Sequence, residues 1–429
     1  MKVLRMNWQN LLKNVFFSFI MIKKDGDFVI IREDYLRKLI KFKNKDIIKV
    51  VTGIRRCGKS TLFKQYMEYL ISNGIEENQI ININFEDMDY YELLDAKKLY
   101  EYIKERLLEE KTMYIFLDEI QQVNEFERVV DSLYIKENID LYITGSNAYL
   151  LSSELATLLS GRYITIEMLP ISFKEYIGFL DDKTDLNKKY SDYLLYSSFP
   201  YSLKLNKDLE LIYNYLEGIF NTVVLKDVVG RRNISDVFML DSVIKFMFDN
   251  IGNITSTKRI ADTMTSNGRR ISTNTVESYL LGLVDSYILY RVNRYDIKGK
   301  QHLKTLEKYY AVDIGLRYFL LGNKKGDYGH ILENIIYLEL KRRGYTVNIG
   351  KVNEYEVDFV ATRLGIVEYY QVALTTRDDS TLERELRPLR KISDHYKKVL
   401  LTLDVEPDSY YDGILKRNAL EFLIERVKL

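Results

Sequence analysis

Short apolar runs alternate with amphipathic segments over the first 170 residues of the chain. The apolar runs predict buried strands, and amphipathic segments such as 59–73 and 92–110 predict helices between them. Strands that alternate with helices form a parallel sheet covered on both faces. The pattern therefore predicts one α/β domain over about residues 28–170. Its five predicted strands are 47–53, 79–85, 113–117, 140–144 and 162–168.

After residue 170 the pattern becomes helical up to about residue 250. Two short helices (256–264 and 273–286) and two paired strands (287–295 and 308–312) follow. The order helix, turn, helix, hairpin is typical of a winged helix, which we place at 235–320. The last segment, 328–429, combines a helix, three strands, a second helix and a further strand. It predicts a small separate α/β domain.

Composition limits the function classes. The chain has 429 residues and a net charge of +1, so no global charge attracts it to nucleic acid, although a local basic face remains compatible with this balance. A single cysteine and three histidines leave no internal disulfide and argue against a Cys/His zinc site. The apolar run 15–22 is too short to span a bilayer. These features predict a cytoplasmic protein without a membrane partner.

Residues 53–60 match the pattern G-x-x-x-x-G-K-[ST] at every fixed position, directly after a predicted strand and at the start of a predicted helix. In such a loop, backbone N–H groups surround phosphate oxygens, and the helix N-terminus favours their negative charge. Lys59 is expected to contact the β- and γ-phosphates, and Ser60 to bind Mg²⁺. The sequence thus predicts ATP and Mg²⁺ as cofactors. The predicted binding residues are Gly53, Arg55, Arg56, Cys57, Gly58, Lys59, Ser60 and Thr61.

Two carboxylates follow the third predicted strand, whose last residues are the apolar run 114–117. Ligands of open α/β sheets bind at the carboxyl ends of the strands. Asp118 is therefore expected to hold Mg²⁺, and Glu119 to act as a general base on the attacking water. The alternative is an acid pair that only caps a helix.

Three further residues are candidates with competing interpretations. Ser146, or alternatively its neighbour Asn147, follows the fourth strand and could position the attacking water or sense the γ-phosphate, but a plain strand-to-loop turn gives the same pattern. Arg162 could serve as an arginine finger, in cis or across a subunit interface, or form a surface ion pair. Cys57 is either a tolerated small residue or a thiol activated by the helix N-terminus.

These segments resemble a family of bacterial and archaeal AAA-type ATPases related to the STAND class. The resemblance rests on GIRRCGKST, FLDEIQ, ITGSNA and GRYITIEMLPISFKEY, the last being residues 161–176. It implies an ATP-hydrolysing switch or remodelling ATPase with a helical lid at 171–234. The lid motif G-G-[FY]-P of such proteins is replaced here by Ser197-Ser198-Phe199-Pro200.

The resemblance extends to a C-terminal domain similar to PD-(D/E)XK nucleases. Their pattern of a helix Glu, then E-V-D, then [EQ]-x-K corresponds to Glu333, to 356–358 and to 371–373. The lysine of that pattern is replaced by Ala373, which implies an inactive domain with a vestigial site of Glu333, Asp358 and Gln371. A purely structural role for these three residues stays open.

Function beyond the nucleotide site has several candidates. DNA could contact the winged helix, which carries basic residues, and the C-terminal domain, but a winged helix that only packs on the ATPase is equally compatible. Two alternatives to the ATPase switch are an ATP-regulated DNA nuclease and a non-hydrolysing nucleic-acid-binding scaffold. The sequence leaves open a protein partner and the oligomeric state. The basic residues are Lys258, Arg259, Arg269, Arg270, Arg291 and Arg294.

Overall fold

The computed structural model describes residues 22–24, 27–148, 161–180, 185–232, 234–322 and 326–425. The chain divides into two compact units, with the boundary between Met168 and Leu169. Within the described residues, no helix is long and apolar enough to cross a membrane. Expectations about the first 20 residues lie outside the described part of the chain.

The first unit is an α/β layer structure whose elements alternate as the apolar pattern predicts. Its strands are β1 (Ile22–Lys24), β2 (Asp27–Val29), β3 (Ile48–Thr52), β4 (Ile80–Asn84), β5 (Met113–Asp118), β6 (Ile139–Gly145) and β7 (Tyr163–Glu167). Its helices are α1 (Glu33–Lys41), α2 (Lys59–Ser72), α3 (Ala96–Lys104) and α4 (Phe126–Tyr134). Short 3₁₀ helices cover Glu77–Gln79, Met88–Leu94 and Ile120–Gln122.

Five of the described strands form one parallel sheet in the order β4-β5-β6-β3-β7. All five strands predicted from the sequence are present, so the predicted parallel α/β sheet is confirmed. The single helix predicted over 92–110 is wrong. Asp95 divides that segment, because its side chain accepts a hydrogen bond from the backbone N–H of Lys98 at 3.0 Å and so begins a separate helix, α3.

Aromatic side chains fix α2 on the sheet. The Phe63 ring lies 5.1 Å from the Phe116 ring of β5, and the Tyr66 ring lies 5.2 Å from the Tyr142 ring of β6. The hydroxyl groups of Tyr66 and Tyr142 are 2.9 Å apart, which satisfies both in a buried position. These contacts determine where the first turn of α2 stands relative to the ends of β5 and β6.

The second unit begins with helices and continues into a mixed sheet. The first helices are α5 (Phe173–Phe179), α6 (Leu186–Leu195), α7 (Leu209–Thr222), α8 (Gly230–Arg232) and α9 (Val237–Asp249), with a 3₁₀ helix at Pro200–Leu205 and a π-helix at Val223–Val229. Next come α10 (Thr257–Ser266), α11 (Thr273–Asp285), β8 (Leu289–Asp296), β9 (Gln301–Ala311) and α12 (Ile314–Leu321). The remaining elements are α13 (Tyr328–Arg342), β10 (Thr346–Val352), β11 (Tyr355–Arg363), β12 (Ile366–Val372), α14 (Asp379–Arg390), β13 (Lys397–Thr402), β14 (Ser409–Tyr411), β15 (Ile414–Asn418) and α15 (Ala419–Ile424).

The β8-β9 hairpin and the C-terminal strands belong to one sheet. Among the described residues its order is β14-β15-β13-β12-β11-β10-β8-β9. Strand β10 pairs with β8 in parallel, for example Gly350 with Tyr295. The domain boundary predicted near residue 320 therefore divides one sheet, because β8 before it is hydrogen-bonded to β10 after it. Side chains of β9 can consequently reach α13 and β11.

Candidate functional site

The loop after β3 has the backbone geometry that its glycines allow. Gly53 has φ 144°, and a methyl group added there would lie 2.1 Å from the carbonyl oxygen of Met168. Gly58, with φ 106°, caps the N-terminus of α2. Both conformations favour glycine over any other residue. The fixed glycines of the motif are thus required by this tight strand-to-helix turn.

Lys59, the first residue of α2, points back into this turn. Its side chain is only about one-twentieth exposed (5%), and its Nζ donates to the Gly53 carbonyl oxygen at 3.0 Å and lies 3.3 Å from Oε1 of Glu119. Burial lowers the pKa of Lys59, but the negative charge of Glu119, together with Asp118, outweighs it and the net pKa is raised. Lys59 is therefore a fixed positive charge at the carboxyl end of the central strands.

Asp118 and Glu119 lie at the same edge, at the end of β5, and both are buried. Burial raises the pKa of Asp118, although hydrogen bonds from Ser60 and Thr144 act against it. Burial also raises the pKa of Glu119, but the Lys59 charge and a hydrogen bond from Gln121 more than offset this, and the net pKa is lowered. Glu119 is thus a carboxylate at neutral pH, ready to accept a proton or a hydrogen bond.

The backbone of Glu119 is strained. Its φ of 56° and ψ of 46° are left-handed, a conformation that residues other than glycine rarely adopt. The backbone N–H of Glu119 donates to the Thr144 hydroxyl oxygen at 2.9 Å, and that hydroxyl donates to Oδ1 of Asp118. Thr144 of β6 therefore holds both acids from the neighbouring strand.

Thr144 and Gln121 are site residues to which the sequence analysis assigned no role. Gln121 Nε2 donates to Oε2 of Glu119 and lies 3.4 Å from the Ser146 hydroxyl. Sequence patterns that mark both residues were present, since Gln121 is part of FLDEIQ and Thr144 ends the apolar run of the fourth strand. Their pairing with the acids depends on the alignment of β5 with β6, where Leu117 lies opposite Ile143.

The structure brings Ser146 to the site and shows where the other predicted binding residues after β3 lie. Ser146 is buried and hydrogen-bonds the Glu119 carboxylate. Ser60 and Thr61 are exposed in the first turn of α2, where Ser60 also hydrogen-bonds Asp118. Arg55 forms an ion pair with Glu86 at 2.8 Å. Arg56 is exposed with φ 66°.

Cys57 is fully buried in the loop. Burial raises the pKa of its thiol, and the nearby charges of Lys59 and Arg32 only partly counteract this. A protonated, buried thiol is a small packing residue, since the thiolate is the reactive form. Its carbonyl oxygen accepts a hydrogen bond from Nη1 of Arg32 at 3.0 Å, which fixes the loop from α1's N-terminal side.

Arg162 is not near these residues within the chain. Its carbonyl oxygen accepts a hydrogen bond from the backbone N–H of Ile48, the first residue of β3. The loop 53–60 follows the last residue of the same strand. Its guanidinium group binds Asp131 at 2.7 Å and lies 5.4 Å from the centre of the Tyr134 ring. Arg162 thus lies at the amino edge of the sheet, opposite the site, and only a second copy of the chain could bring an equivalent arginine to it.

In the second unit, the three predicted vestigial residues do lie together. Glu333 is on α13, Asp358 on β11 and Gln371 on β12, and all three are buried. Gln371 Oε1 accepts the Asp358 N–H at 3.3 Å, and Oδ2 of Asp358 accepts the Val372 N–H at 2.8 Å. The sequence analysis did not anticipate that Lys308 of β9 contacts Glu333 at 2.8 Å.

Comparison with known families identifies two parts of the chain. Residues 45–177 match the model of an AAA domain, and residues 187–327 match that of a domain of unknown function (DUF8612). The second match covers residues that we assigned to the lid and to the winged helix. An AAA domain with an intact phosphate loop implies nucleotide binding, in agreement with the geometry of residues 53–60.

Two relatives match most of the chain. An uncharacterized protein of Haemophilus influenzae is 40% identical over 401 residues, covering 92% of this chain and 99% of that protein. An uncharacterized protein of Methanocaldococcus jannaschii is 33% identical over 351 residues, covering 77% and 75%. The solved structure of a Walker-type ATPase of Pyrococcus abyssi aligns with a TM-score of 0.46 at 16% identity, over 69% of this chain and 97% of that chain. The chain belongs to the same family as the Haemophilus influenzae and Methanocaldococcus jannaschii proteins, and it contains an AAA domain.

Proposed function

We propose that this protein is an ATPase that binds Mg·ATP at the loop 53–60 and hydrolyses it as a molecular switch or remodelling enzyme. The observation that carries the proposal is the convergence of Lys59, Ser60, Asp118 and Glu119 at the carboxyl edge of β3 and β5. This edge is where open α/β sheets bind ligands. An ammonium group, a hydroxyl group and two carboxylates at one strand edge are the groups that phosphoryl transfer requires.

The residues fit the proposed ligands. Ser60 and Asp118 offer hydroxyl and carboxylate oxygens, the hard ligands that Mg²⁺ prefers, and Mg²⁺ bound there would neutralise charge on the β- and γ-phosphates. Lys59 would bind the same phosphates through its ammonium group. The N–H groups of the turn before α2 would donate to phosphate oxygens, aided by the helix N-terminus.

Hydrolysis would use the carboxylate of Glu119. It would accept a proton from the water that attacks the γ-phosphorus, while the bond to the β-phosphate oxygen breaks and ADP leaves. Gln121 and Ser146 both hydrogen-bond Glu119, so they would hold its carboxylate in one orientation. Thr144 would fix the distance between the general base and the metal ligand, because it contacts both acids.

The test is phosphate release from Mg·ATP by the full chain and by Lys59→Ala. We expect turnover in the wild type and a loss of at least about 100-fold in the variant, since a preorganised charge on the transferred group contributes that much. Lys64→Ala, which removes a lysine from the same helix outside the site, is the control. Equal turnover by Lys59→Ala and the wild type would overturn the proposal.

We infer DNA as a second candidate partner, on two observations next to α10 and α11. Thr255, just before α10, pairs with Glu307 of β9. This single antiparallel bridge lies beside the β8-β9 hairpin and supports the winged-helix interpretation. Arg269 and Arg270 are exposed immediately before α11. Arg291 is a poorer candidate, since Glu277 and Glu307 lie 3.4 and 3.9 Å from its guanidinium group.

A mobility-shift titration of duplex DNA tests this inference. Replacing Arg269 and Arg270 by alanine should weaken binding and reduce the slope of log K against log salt concentration by about 2, because each phosphate contact contributes about 0.9. Lys97→Ala/Lys98→Ala removes two adjacent exposed charges from α3 and is the matched control. An equal loss of DNA affinity in both double variants would show that DNA binding does not use α11.

A further inference from the structure

Lys308 lies at the centre of the C-terminal carboxylate cluster, which consists of Glu333, Glu356 and Asp358. Its Nζ is 2.8 Å from Oε1 of Glu333 and 2.8 Å from Oε1 of Glu356. Asp358 also acts electrostatically on Lys308. The lysine is only 4% exposed, and Glu333 and Asp358 are buried beside it, so its ammonium group offsets part of their negative charge away from water. Burial and the Glu333 charge raise the pKa of Asp358. A buried ammonium group with several carboxylates around it is stable only as a unit, because removing one member leaves an uncompensated charge.

The sheet topology explains how a residue of β9 reaches α13 and β11. Lys308 and Tyr310 alternate along β9 and so face the same side of the sheet. The Tyr310 hydroxyl donates to the same Oε1 of Glu333 at 2.6 Å, and its ring stacks on Tyr337 of α13 at 4.5 Å. Asn334 binds both backbone groups of Ala311, at 2.7 and 2.9 Å. The cluster therefore ties the hairpin to α13.

This arrangement does not fit a divalent metal ion, which the likeness to nucleases would place on Glu333 and Asp358. Oε1 of Glu333 already accepts two hydrogen bonds, from Lys308 and Tyr310, and Oδ2 of Asp358 accepts one from Val372. Among the described residues, no group of three or more acids, histidines or cysteines is arranged to hold a metal ion. The positive charge at this position is supplied by the protein itself.

We propose that Lys308 is the built-in counter-ion of the C-terminal carboxylate cluster and takes the place of a divalent metal ion. The C-terminal domain then needs no metal, and its acids hold the β8-β9 hairpin against α13. This inference is independent of the proposed ATPase. One consequence is specific: a neutral residue at position 308 leaves the acids of the cluster without their cation, and their side chains are then free to turn toward a divalent ion in its place.

Direct titration with Mn²⁺ of the nucleotide-free full chain tests the proposal, with free Mn²⁺ followed by electron paramagnetic resonance. We expect the Lys308→Met variant to bind one more Mn²⁺ per chain than the wild type. The double variant Lys308→Met/Glu333→Gln should lose the added site. Lys416→Met is the matched control, because Lys416 is equally buried beside Asp404 and Glu406. The Asp404 carboxylate is held by Thr375 and Thr376, so no added site is expected there.

Two results would overturn the proposal. One is an added Mn²⁺ site in Lys416→Met, or none in a folded Lys308→Met. The other does not involve a Lys308 variant. If the wild type binds a Mn²⁺ ion that is lost in Glu333→Gln and in Asp358→Asn, a metal ion displaces Lys308. Equal Mn²⁺ binding by the wild type and these two variants supports the proposal even if Lys308→Met does not fold.

Discussion

Nζ of Lys59 lies 3.3 Å from Oε1 of Glu119, so the residue expected to bind phosphate and the residue expected to activate water form one ion pair. Both side chains are buried, and a buried charge pair interacts more strongly than a pair in water. The two roles are therefore coupled. A change in the charge at position 119 must affect both the ammonium group of Lys59 and the chemical step.

The Glu119→Gln variant separates ATP binding from hydrolysis. We expect turnover to fall about 10²- to 10⁴-fold, the usual contribution of a general base, whereas ATP binds at least as tightly as to the wild type. Binding is retained because glutamine removes a negative charge near the phosphates and frees Lys59. A fluorescent ATP analogue measures affinity, and phosphate release measures turnover. A large loss of ATP affinity that accompanies the loss of turnover would contradict the proposed role of Glu119 as general base.

Glu125→Gln is a control for that variant. Glu125 also has a left-handed backbone, with φ 52°, but its side chain is exposed and pairs with Arg128. Its replacement should change neither affinity nor turnover, because exposed ion pairs contribute about 1 kcal/mol or less.

Thr144→Val should weaken the site, and Thr144→Ser should preserve it. Valine removes the hydroxyl group that donates to Asp118 and accepts from the Glu119 N–H, both of which are buried. We expect a loss of about 1–3 kcal/mol in the free energy of unfolding and reduced turnover. Thr52→Val on neighbouring β3 is the control, because the Thr52 hydroxyl has no hydrogen-bond partner within the described structure. Equal destabilisation by the two valine variants would show that the Thr144 bridge is unimportant.

Asp118→Asn is expected to stabilise the nucleotide-free protein while abolishing Mg²⁺-dependent turnover. Burial raises the pKa of Asp118 in the folded chain above its unfolded value of about 3.9. The folded state therefore binds the Asp118 proton more tightly than the unfolded state does. As the pH rises through the folded pKa, this proton is lost and the free energy of unfolding falls. At neutral pH we expect a gain in the free energy of unfolding and in Tm, because asparagine removes the buried charge.

The gain should disappear in acid, where Asp118 is protonated in both states. Thermal melts of the wild type and Asp118→Asn between acid and neutral pH measure this difference, with the exposed Asp89→Asn as control. A constant difference between the two curves across this range would mean that the Asp118 carboxylate is not destabilising.

Local patterns predicted the nucleotide site because its chemistry depends on a continuous motif and on strand ends. Gly53, Lys59 and Asp118 could be placed from the sequence, since the carboxyl ends of parallel strands meet at one edge. Arg162 could have been excluded as a finger in cis by the same rule: it precedes the strand 163–167, so it must lie at the amino edge.

Contacts between distant elements could not be predicted. Lys308 and Glu333 are 25 positions apart and were assigned to different domains. Their pairing requires that β8 joins β10 in one sheet, which no local pattern indicates. The bridge from Thr144 to Asp118 likewise depends on how β5 and β6 align.

The Cys57 thiol should react slowly in the folded protein. It is fully buried, and burial raises its pKa, so little thiolate is present near neutral pH. We expect the reaction with an aromatic disulfide reagent to be at least about tenfold slower in the native than in the urea-unfolded chain, and Cys57→Ser to retain turnover. Rapid native labelling that also stops ATP hydrolysis would instead support the reactive-thiol interpretation.

Arg162→Ala tests whether an arginine from a second copy completes the site. Strand β3 has five residues, so at about 3.3 Å each its two ends lie about 15 Å apart, with Arg162 at one end and the phosphate loop at the other. Among the described residues the guanidinium group pairs with Asp131, away from the site, and we expect turnover within about twofold of the wild type at protein concentrations where the chain is monomeric. An arginine finger contributes about 10³- to 10⁵-fold. A loss of that size in Arg162→Ala but not in Asp131→Ala, and only at concentrations where the chain self-associates, would show that a neighbouring copy supplies the finger.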